Sequence, residues 1–212
     1  MRITIVYDNT VFKRGLRSDW GFSALVEMKN TPKILFDTGA DGEILLSNMK
    51  KLAIDPASID EIFISHAHAD HTGGLPEFLE VNKRAKIYIP PSFQGIKDRE
   101  AIIVKGLTKI HENVFSTGEL DGIEQSMGIK VQKGIVLIVG CSHPKMSYIL
   151  NMAAKFGKVY GIIGGMHGFS EFELFENLKL ICPTHCTQHK AELKKLYPQK
   201  YTEGGVGKII RI

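Results

Sequence analysis

The chain has 212 residues, 27 basic against 23 acidic side chains for a net charge of +4, and 43% hydrophobic residues. At about 150 residues per domain, that length predicts a single domain over residues 1–212 with a sizeable core. No apolar run reaches the roughly 18 residues of a bilayer span. The start, MRITIVYDN, lacks the apolar stretch and cleavage site of an export signal, so a cytoplasmic protein away from membranes is expected. The basic residues are scattered in small groups such as Lys13-Arg14 and Lys194-Lys195. A nucleic-acid protein would show a dense basic face, so the expected partner is a small, anionic molecule. The three cysteines, Cys141, Cys182 and Cys186, are an odd set without an export signal and do not read as a disulfide framework. No pattern indicates an oligomeric state.

In chain order, residues 2–7 read as a strand. Residues 22–28 and 33–37 read as a hairpin around Asn30 and Pro32. Apolar spacing at Ile44, Leu45, Met49 and Leu52 predicts a helix over 42–52. A buried strand over 60–65, a helix over 72–82 and a strand over 85–90 follow. Residues 91–128 fit no element and are expected to form a flap or substrate-facing loops. Beyond them come a hairpin (129–132 and 134–140), a helix (146–156), a strand (158–164), a helix (170–179), a core strand (179–183) and a helix (189–196). Hairpin strands mixed with helices predict mixed sheets covered by helices.

The chemistry concentrates in His66-Ala67-His68-Ala69-Asp70-His71, where four potential ligands fall within six residues separated only by alanines. His66 and His68 cannot share a helix face at a spacing of two, but they can share one in the extended backbone after a strand. Asp70 and His71 are adjacent and diverge. Such a set serves two ions about 3.5–4 Å apart better than one. Three imidazoles and a carboxylate suit zinc, iron or manganese. Gly73-Gly74 permits close backbone approach, and the helix after it offers N–H groups to an anion. In the second half, Cys141-Ser142-His143-Pro144 and Cys182-Pro183-Thr184-His185-Cys186 each put a histidine just past a strand, where loops carry sites.

The His66-X-His68-X-Asp70-His71 segment, its preceding strand and the following Thr72-Gly73-Gly74 resemble the signature of the metallo-β-lactamase superfamily. Leu35-Phe36-Asp37-Thr38-Gly39 resembles its second segment. The resemblance implies an α/β (α+β) fold, a four-layer αββα sandwich of two mixed β-sheets flanked by helices. It implies two divalent ions, zinc first, with iron, manganese or magnesium as alternatives. The implied ligands are His66, His68, Asp70 and His71, with His143 and His185 supplying one histidine to each ion. Asp37 would hold a ligand histidine in orientation. Where relatives carry a bridging aspartate, this chain offers Cys141, or His143 itself. The implied reaction is attack of a metal-activated hydroxide on an ester, thioester or phosphodiester, with Asp70 orienting the nucleophile. Arg14, Arg17, Lys145 and Lys208 are the cations offered to an anionic substrate.

A narrower resemblance runs through Asp8-Asn9, Glu124-Gln125, Gly140-Cys141-Ser142-His143-Pro144, Gly164-Gly165-Met166-His167 and Pro183-Thr184-His185-Cys186-Thr187. It is similar to the branch holding the archaeal dihydropterin–ribofuranosylaminobenzene phosphate synthases of methanopterin biosynthesis. That branch implies an alternative, a transferase joining a pterin methylene pyrophosphate to an arylamine phosphate. It also implies a pocket-lining role for His167, as proton donor or substrate contact, beside an equally open structural one. The chain departs from the branch at Lys145 and Gln188, where glycine is usual, and in a trimmed middle. Oxygen-reducing relatives carry glutamate where this chain has His68, which ranks di-iron redox chemistry low. His111 and His189 are expected at the surface, and Cys186 is expected to pack.

Overall fold

Alternate residues of the strands face two different apolar layers, and this sets the architecture. The computed structural model describes residues 1–96 and 99–212. Its first sheet runs β13(Ile209–Arg211), β1(Arg2–Tyr7), β2(Ser23–Glu27), β3(Ile34–Phe36), β4(Glu61–Phe63), β5(Lys86–Ile89) and β6(Ile102–Ile103) in spatial order. Pairing is antiparallel from β13 to β3 and parallel from β3 to β6. The second sheet runs β12(Leu180–Thr184), β11(Val159–Gly165), β10(Gly134–Val139), β9(Met127–Val131), β8(Val114–Ser116) and β7(Thr108–His111). It is parallel from β12 to β10 and antiparallel beyond.

Ile3, Ile5, Ala24, Val26, Ile34, Phe36 and Phe63 of the first sheet meet Val114, Met127, Ile129, Val136, Ile138 and Ile163 of the second in one buried layer. The intervening residues Leu25, Leu35, Ile62 and Ile87 turn outward onto α1(Gly42–Lys51) and α3(Leu75–Val81). Ile135, Leu137, Val139, Ile162 and Ile181 turn outward onto α4(Met146–Ala154) and α5(Lys190–Leu196). Period-2 alternation with both faces apolar is what a sheet sandwiched between helices requires. The expected four layers of two mixed sheets are therefore present.

Three of the expected elements need correction. The helix expected over 72–82 is two pieces, α2(Ala69–Thr72) and α3, because Gly73 and Gly74 pack against the backbone of Ala40 and Thr38. The helix expected over 170–179 is only a short 3-10 turn, Phe172–Phe175, against which Phe169 packs with its ring 4.6 Å from that of Phe175. A three-residue side-chain spacing aligns along a 3-10 turn, and Phe172 and Phe175 follow it. The stretch 91–128 contains β6, β7 and β8 and closes the edges of both sheets, while Lys97 and Asp98 of the expected flap lie outside the described residues.

His111 is not a free surface residue. Its Nε2 lies 2.7 Å from Oε2 of buried Glu61, which ties β7 of one sheet to β4 of the other. No helix among the described residues is long and apolar enough to cross a membrane.

The parallel strands place the site. β3, β4, β10, β11 and β12 all run toward one edge of the sandwich, and β1 shares their sense. Asp8, Asp37, Ser65, Cys141, His167 and His185 each follow within two residues of those strand ends. In open sheets, ligands gather beyond the carboxyl ends of parallel strands.

Candidate metal centre

Backbone strain marks the same edge. Among the described residues, Asp37 (φ 52°), Ser142 (φ 59°), His167 (φ 37°) and His185 (φ 45°) have positive φ without being glycine, and each sits just past a strand. Such conformations persist only where the surroundings impose them, and they cluster at functional sites. Gly140 has its own reason. A Cβ there would lie 2.3 Å from Ser65 Oγ and 3.0 Å from His66 Nδ1, so only glycine lets the end of β10 reach the end of β4.

Two ligand sets meet at this edge. His66, His68 and His143 offer nitrogens within 4.8 Å of one another, and so do the donor atoms of Asp70, His71, Cys141 and His185. The sets join where the His66 and His71 rings approach to 4.2 Å. Residues from both halves of the chain are therefore together, as expected. Cys141 groups with the second set and His143 with the first. Cys141 also lies with His167 and Cys186 within 4.8 Å, so buried Cys186 packs against this corner. His167 is next to the first set, its ring 4.7 Å from that of His143.

The tautomers follow from the partners. Ser65 Oγ donates to Asp37 Oδ2 at 2.7 Å, so it can only accept from Nδ1–H of His66, at 2.8 Å. Asn9 Oδ1 accepts from Gly21 N at 3.0 Å while its Nδ2 donates to His185 O, which fixes the amide's orientation. Nδ1–H of His185 then donates to that Oδ1, at 2.9 Å. Both imidazoles thus turn an unprotonated Nε2 into the site. Nε2 of His66, His143, His167 and His185 is buried in each case without a hydrogen-bond partner. His185 Nε2 also faces Asp70 Oδ2 at 3.1 Å. Two lone-pair atoms at that distance with no proton between them repel, and a cation beside them reverses the sign. Buried acceptors without partners are costly, so a set of them converging is the signature of a cation site. The donor set of imidazoles, a carboxylate and a thiol fits divalent metal ions.

The electrostatics agree. Burial, reinforced by His71, His143 and His68, pushes His66 far below the ordinary histidine value. Burial and the neighbouring His167 and His68 bring His143 down to about 4. Burial also lowers His167 and His185. These rings are neutral at pH 7 and free to offer a lone pair. His71 runs the other way. Burial pulls it down, but the charge and hydrogen bond of Asp37, 2.7 Å from Nδ1, raise it. Burial alone would raise Asp70, yet the charge of His71 pulls it below the usual carboxylate range. The adjoining Cys186 thiol and then burial push the Cys141 thiol up.

Four supporting residues had no stated role in the sequence reading. Buried Glu124 accepts the N–H groups of Gly140, Cys141 and Ser142 on Oε1 (3.0, 3.0 and 3.1 Å) and that of His143 on Oε2 (2.9 Å). Glu124 thereby shapes the loop that presents Cys141 and His143. Asn9 and Ser65 set histidine tautomers, and Trp20 Nε1 donates to Asp70 Oδ2 at 3.0 Å. Glu124 and Asn9 lay inside motifs, but their hydrogen bonds run across the fold and leave no spacing signal.

The proposed substrate cations are not gathered. Arg14, Arg17 and Lys145 are exposed, and Lys208 lies over the Phe12 ring at 4.3 Å. Arg14 and Arg17 lie on the loop that carries Trp20, and Lys145 caps α4 two residues after His143.

The family model described as the metallo-beta-lactamase superfamily matches residues 21–146. The chain belongs to that superfamily. It is 28% identical, over 98% of its length and 95% of the relative's, to the 7,8-dihydropterin-6-methyl-4-(beta-D-ribofuranosyl)-aminobenzene-5'-phosphate synthase of Methanocaldococcus jannaschii. Among solved structures it is similar to Tm1679, described as a metal-dependent hydrolase of the beta-lactamase superfamily (24% identity, TM-score 0.78, 100% and 99% of the two chains). It also shares its fold with the short form of human tRNase Z (16% identity, TM-score 0.68, 100% and 99%).

Proposed function

We propose that the chain is a cytoplasmic, binuclear-metal-dependent hydrolase of a small anionic ester, thioester or phosphodiester, working as one domain over residues 1–212. The observation that carries this reading is the convergence of unprotonated Nε2 atoms, above all His185 Nε2 against Asp70 Oδ2. His66, His68 and His143 would hold one ion and Asp70, His71 and His185 the other, with Cys141 on the second side of the pair. Bound there, two divalent ions (zinc first; iron, manganese or magnesium otherwise) supply Lewis acidity and lower the pKa of a coordinated water toward about 7.

The chain's own groups do the rest. Asp37 holds the His71 ring, fixing which nitrogen faces the site. Asp70, ionised and held by Trp20, orients the attacking water. His167, with a free Nε2 and a lowered pKa, exchanges a proton with the leaving group at that atom. Arg14 and Arg17, on the loop that carries Trp20, and Lys145, two residues after His143, would attract an anion.

The test is a screen of metal-loaded protein on phosphodiesters, thioesters, lactones and a precursor tRNA, the last because of the fold shared with tRNase Z. His66→Ala and Asp70→Ala should each abolish turnover of any substrate found while the far-ultraviolet spectrum stays unchanged. Full activity in either variant refutes the reading.

A second reading rests on the end-to-end similarity to the aminobenzene-phosphate synthase. There the ions would hold a pyrophosphate leaving group, and an arylamine nitrogen would displace it from a pterin methylene carbon. Incubation with such a pair should then yield the coupled product and pyrophosphate. Finding only hydrolysis excludes it.

A further inference from the structure

We infer that Trp20 is the platform on which this site receives its substrate, and that the substrate is an aryl or heteroaryl phosphate. The inference rests on the metal-centre reading above and gives that site a substrate class. Trp20 is the chain's one tryptophan, and it is 58% exposed. An indole left in water is ordinarily free to reorient, but this one is held. Its Nε1–H donates to Asp70 Oδ2 at 3.0 Å, its ring centroid lies 5.2 Å from that of His185, and its backbone N–H donates to Asp19 Oδ1 at 2.7 Å.

The loop that carries it is equally constrained. Buried Asn48 brackets Arg17, accepting its N–H at 2.9 Å and donating to its carbonyl at 2.8 Å. Asp19 N donates to Asp8 O at 3.2 Å, and Gly21 N donates to Asn9 Oδ1 at 3.0 Å. The same Asp8-Asn9 pair holds His185. Trp20 is thus tied by its edge to one proposed ligand and by its loop to another, with ring surface left open to solvent beside both.

A fixed, exposed aromatic face costs nothing further to orient when a second ring stacks on it. The loop also carries exposed Lys13, Arg14 and Arg17 against exposed Asp19 and buried Asp8, so its outer face is net cationic. A flat ring on a net-cationic loop beside a metal centre selects a flat ring bearing a phosphate. An alkyl phosphate would use the cations and the metals alone.

Two phosphonates that share a headgroup isolate the ring. Phenylphosphonate and methylphosphonate are titrated calorimetrically into zinc-loaded wild type, Trp20→Phe and Trp20→Leu. Each protein's zinc content and melting temperature are recorded first. The wild type is expected to bind phenylphosphonate at least tenfold more tightly, about 1.4 kcal/mol, with a change in the emission of its single tryptophan. Trp20→Leu is expected to bind both alike, and Trp20→Phe to keep part of the preference. Equal binding of the two by wild type, or an undiminished preference in Trp20→Leu, overturns the inference while zinc retention and methylphosphonate binding leave the metal centre standing. Failure of wild type to retain zinc, with neither phosphonate bound, overturns the metal-centre reading and this inference with it.

Discussion

The backbone N–H of His143 donates to Oε2 of Glu124 at 2.9 Å, and the other oxygen of that fully enclosed carboxylate takes the three preceding N–H groups. One side chain therefore satisfies the whole turn between β10 and α4 that presents Cys141 and His143. Burial pushes Glu124's pKa up, and the four N–H groups oppose it.

Glu124→Gln is expected to break this arrangement although it is nearly isosteric. An amide nitrogen would face at least one N–H donor, leaving buried donors unmatched. The cost of each is about 1–3 kcal/mol. We expect a stability loss of about 2–4 kcal/mol by denaturant titration, together with loss of the ion held by His66, His68 and His143. Wild-type stability and metal content in Glu124→Gln would remove the carboxylate from the account.

Much of the candidate site was legible because its clustered donor residues lie in one short run after a strand, where alternation and loop chemistry both show. Asp37, His143 and His185 were reachable for the same reason, each just past an apolar strand. What escaped depends on contacts at long range. Glu124, Asn9 and Trp20 act through hydrogen bonds whose partners lie 19, 176 and 50 residues away, and no periodicity encodes such a pairing. The strands β6 to β8 escaped because they are only two to four residues long, and on β7 the polar Lys109 and His111 hide the period-2 pattern. The helix expected over 170–179 failed because Phe172 and Phe175, at a spacing of three, fit a 3-10 turn as well as an α-helix.

Asp37→Asn tests the orientation of His71. Asp37 accepts from Ser65 N, Ser65 Oγ and His71 Nδ1 at 2.7 Å in each case. Asparagine tolerates the positive φ, so the backbone should hold. Its NH₂ in place of Oδ2 would oppose the Nδ1 proton and favour the wrong tautomer. Removing such a partner typically lowers metal affinity 10–100-fold, and competition with a chromophoric chelator should read a loss of that size. Unchanged affinity would assign Asp37 to the fold alone.

The imidazoles make the metal-free protein sensitive to acid. His143 titrates at about 4 in the folded chain, against an ordinary value of 6.5. Between those values the unfolded chain binds the extra proton, so stability rises with pH across the window and falls as pH drops below 6.5. His66, His167 and His185 are lowered as well and act in the same sense. His71 is raised and opposes them, adding stability below 6.5 that is lost as pH climbs through its folded value. His143→Gln in chelator-treated protein should flatten the melting curve between pH 6.5 and 4 by at most about 1 kcal/mol, since solvent screens a half-buried ring. An unchanged slope would contradict the assigned environment of His143.

The claim on which everything turns is that two cations sit between the halves of this chain, and metal content per chain by plasma mass spectrometry tests it most directly. Wild type equilibrated with zinc and freed of excess is predicted to retain two equivalents, and His66→Ala and His185→Ala one or fewer. Retained metal should raise the melting temperature by about 5–10 °C over chelator-treated protein, the size expected for about 2.7 kcal/mol of binding linkage in a chain of this length. Wild type that holds no zinc, or variants that hold as much as wild type, would contradict the account.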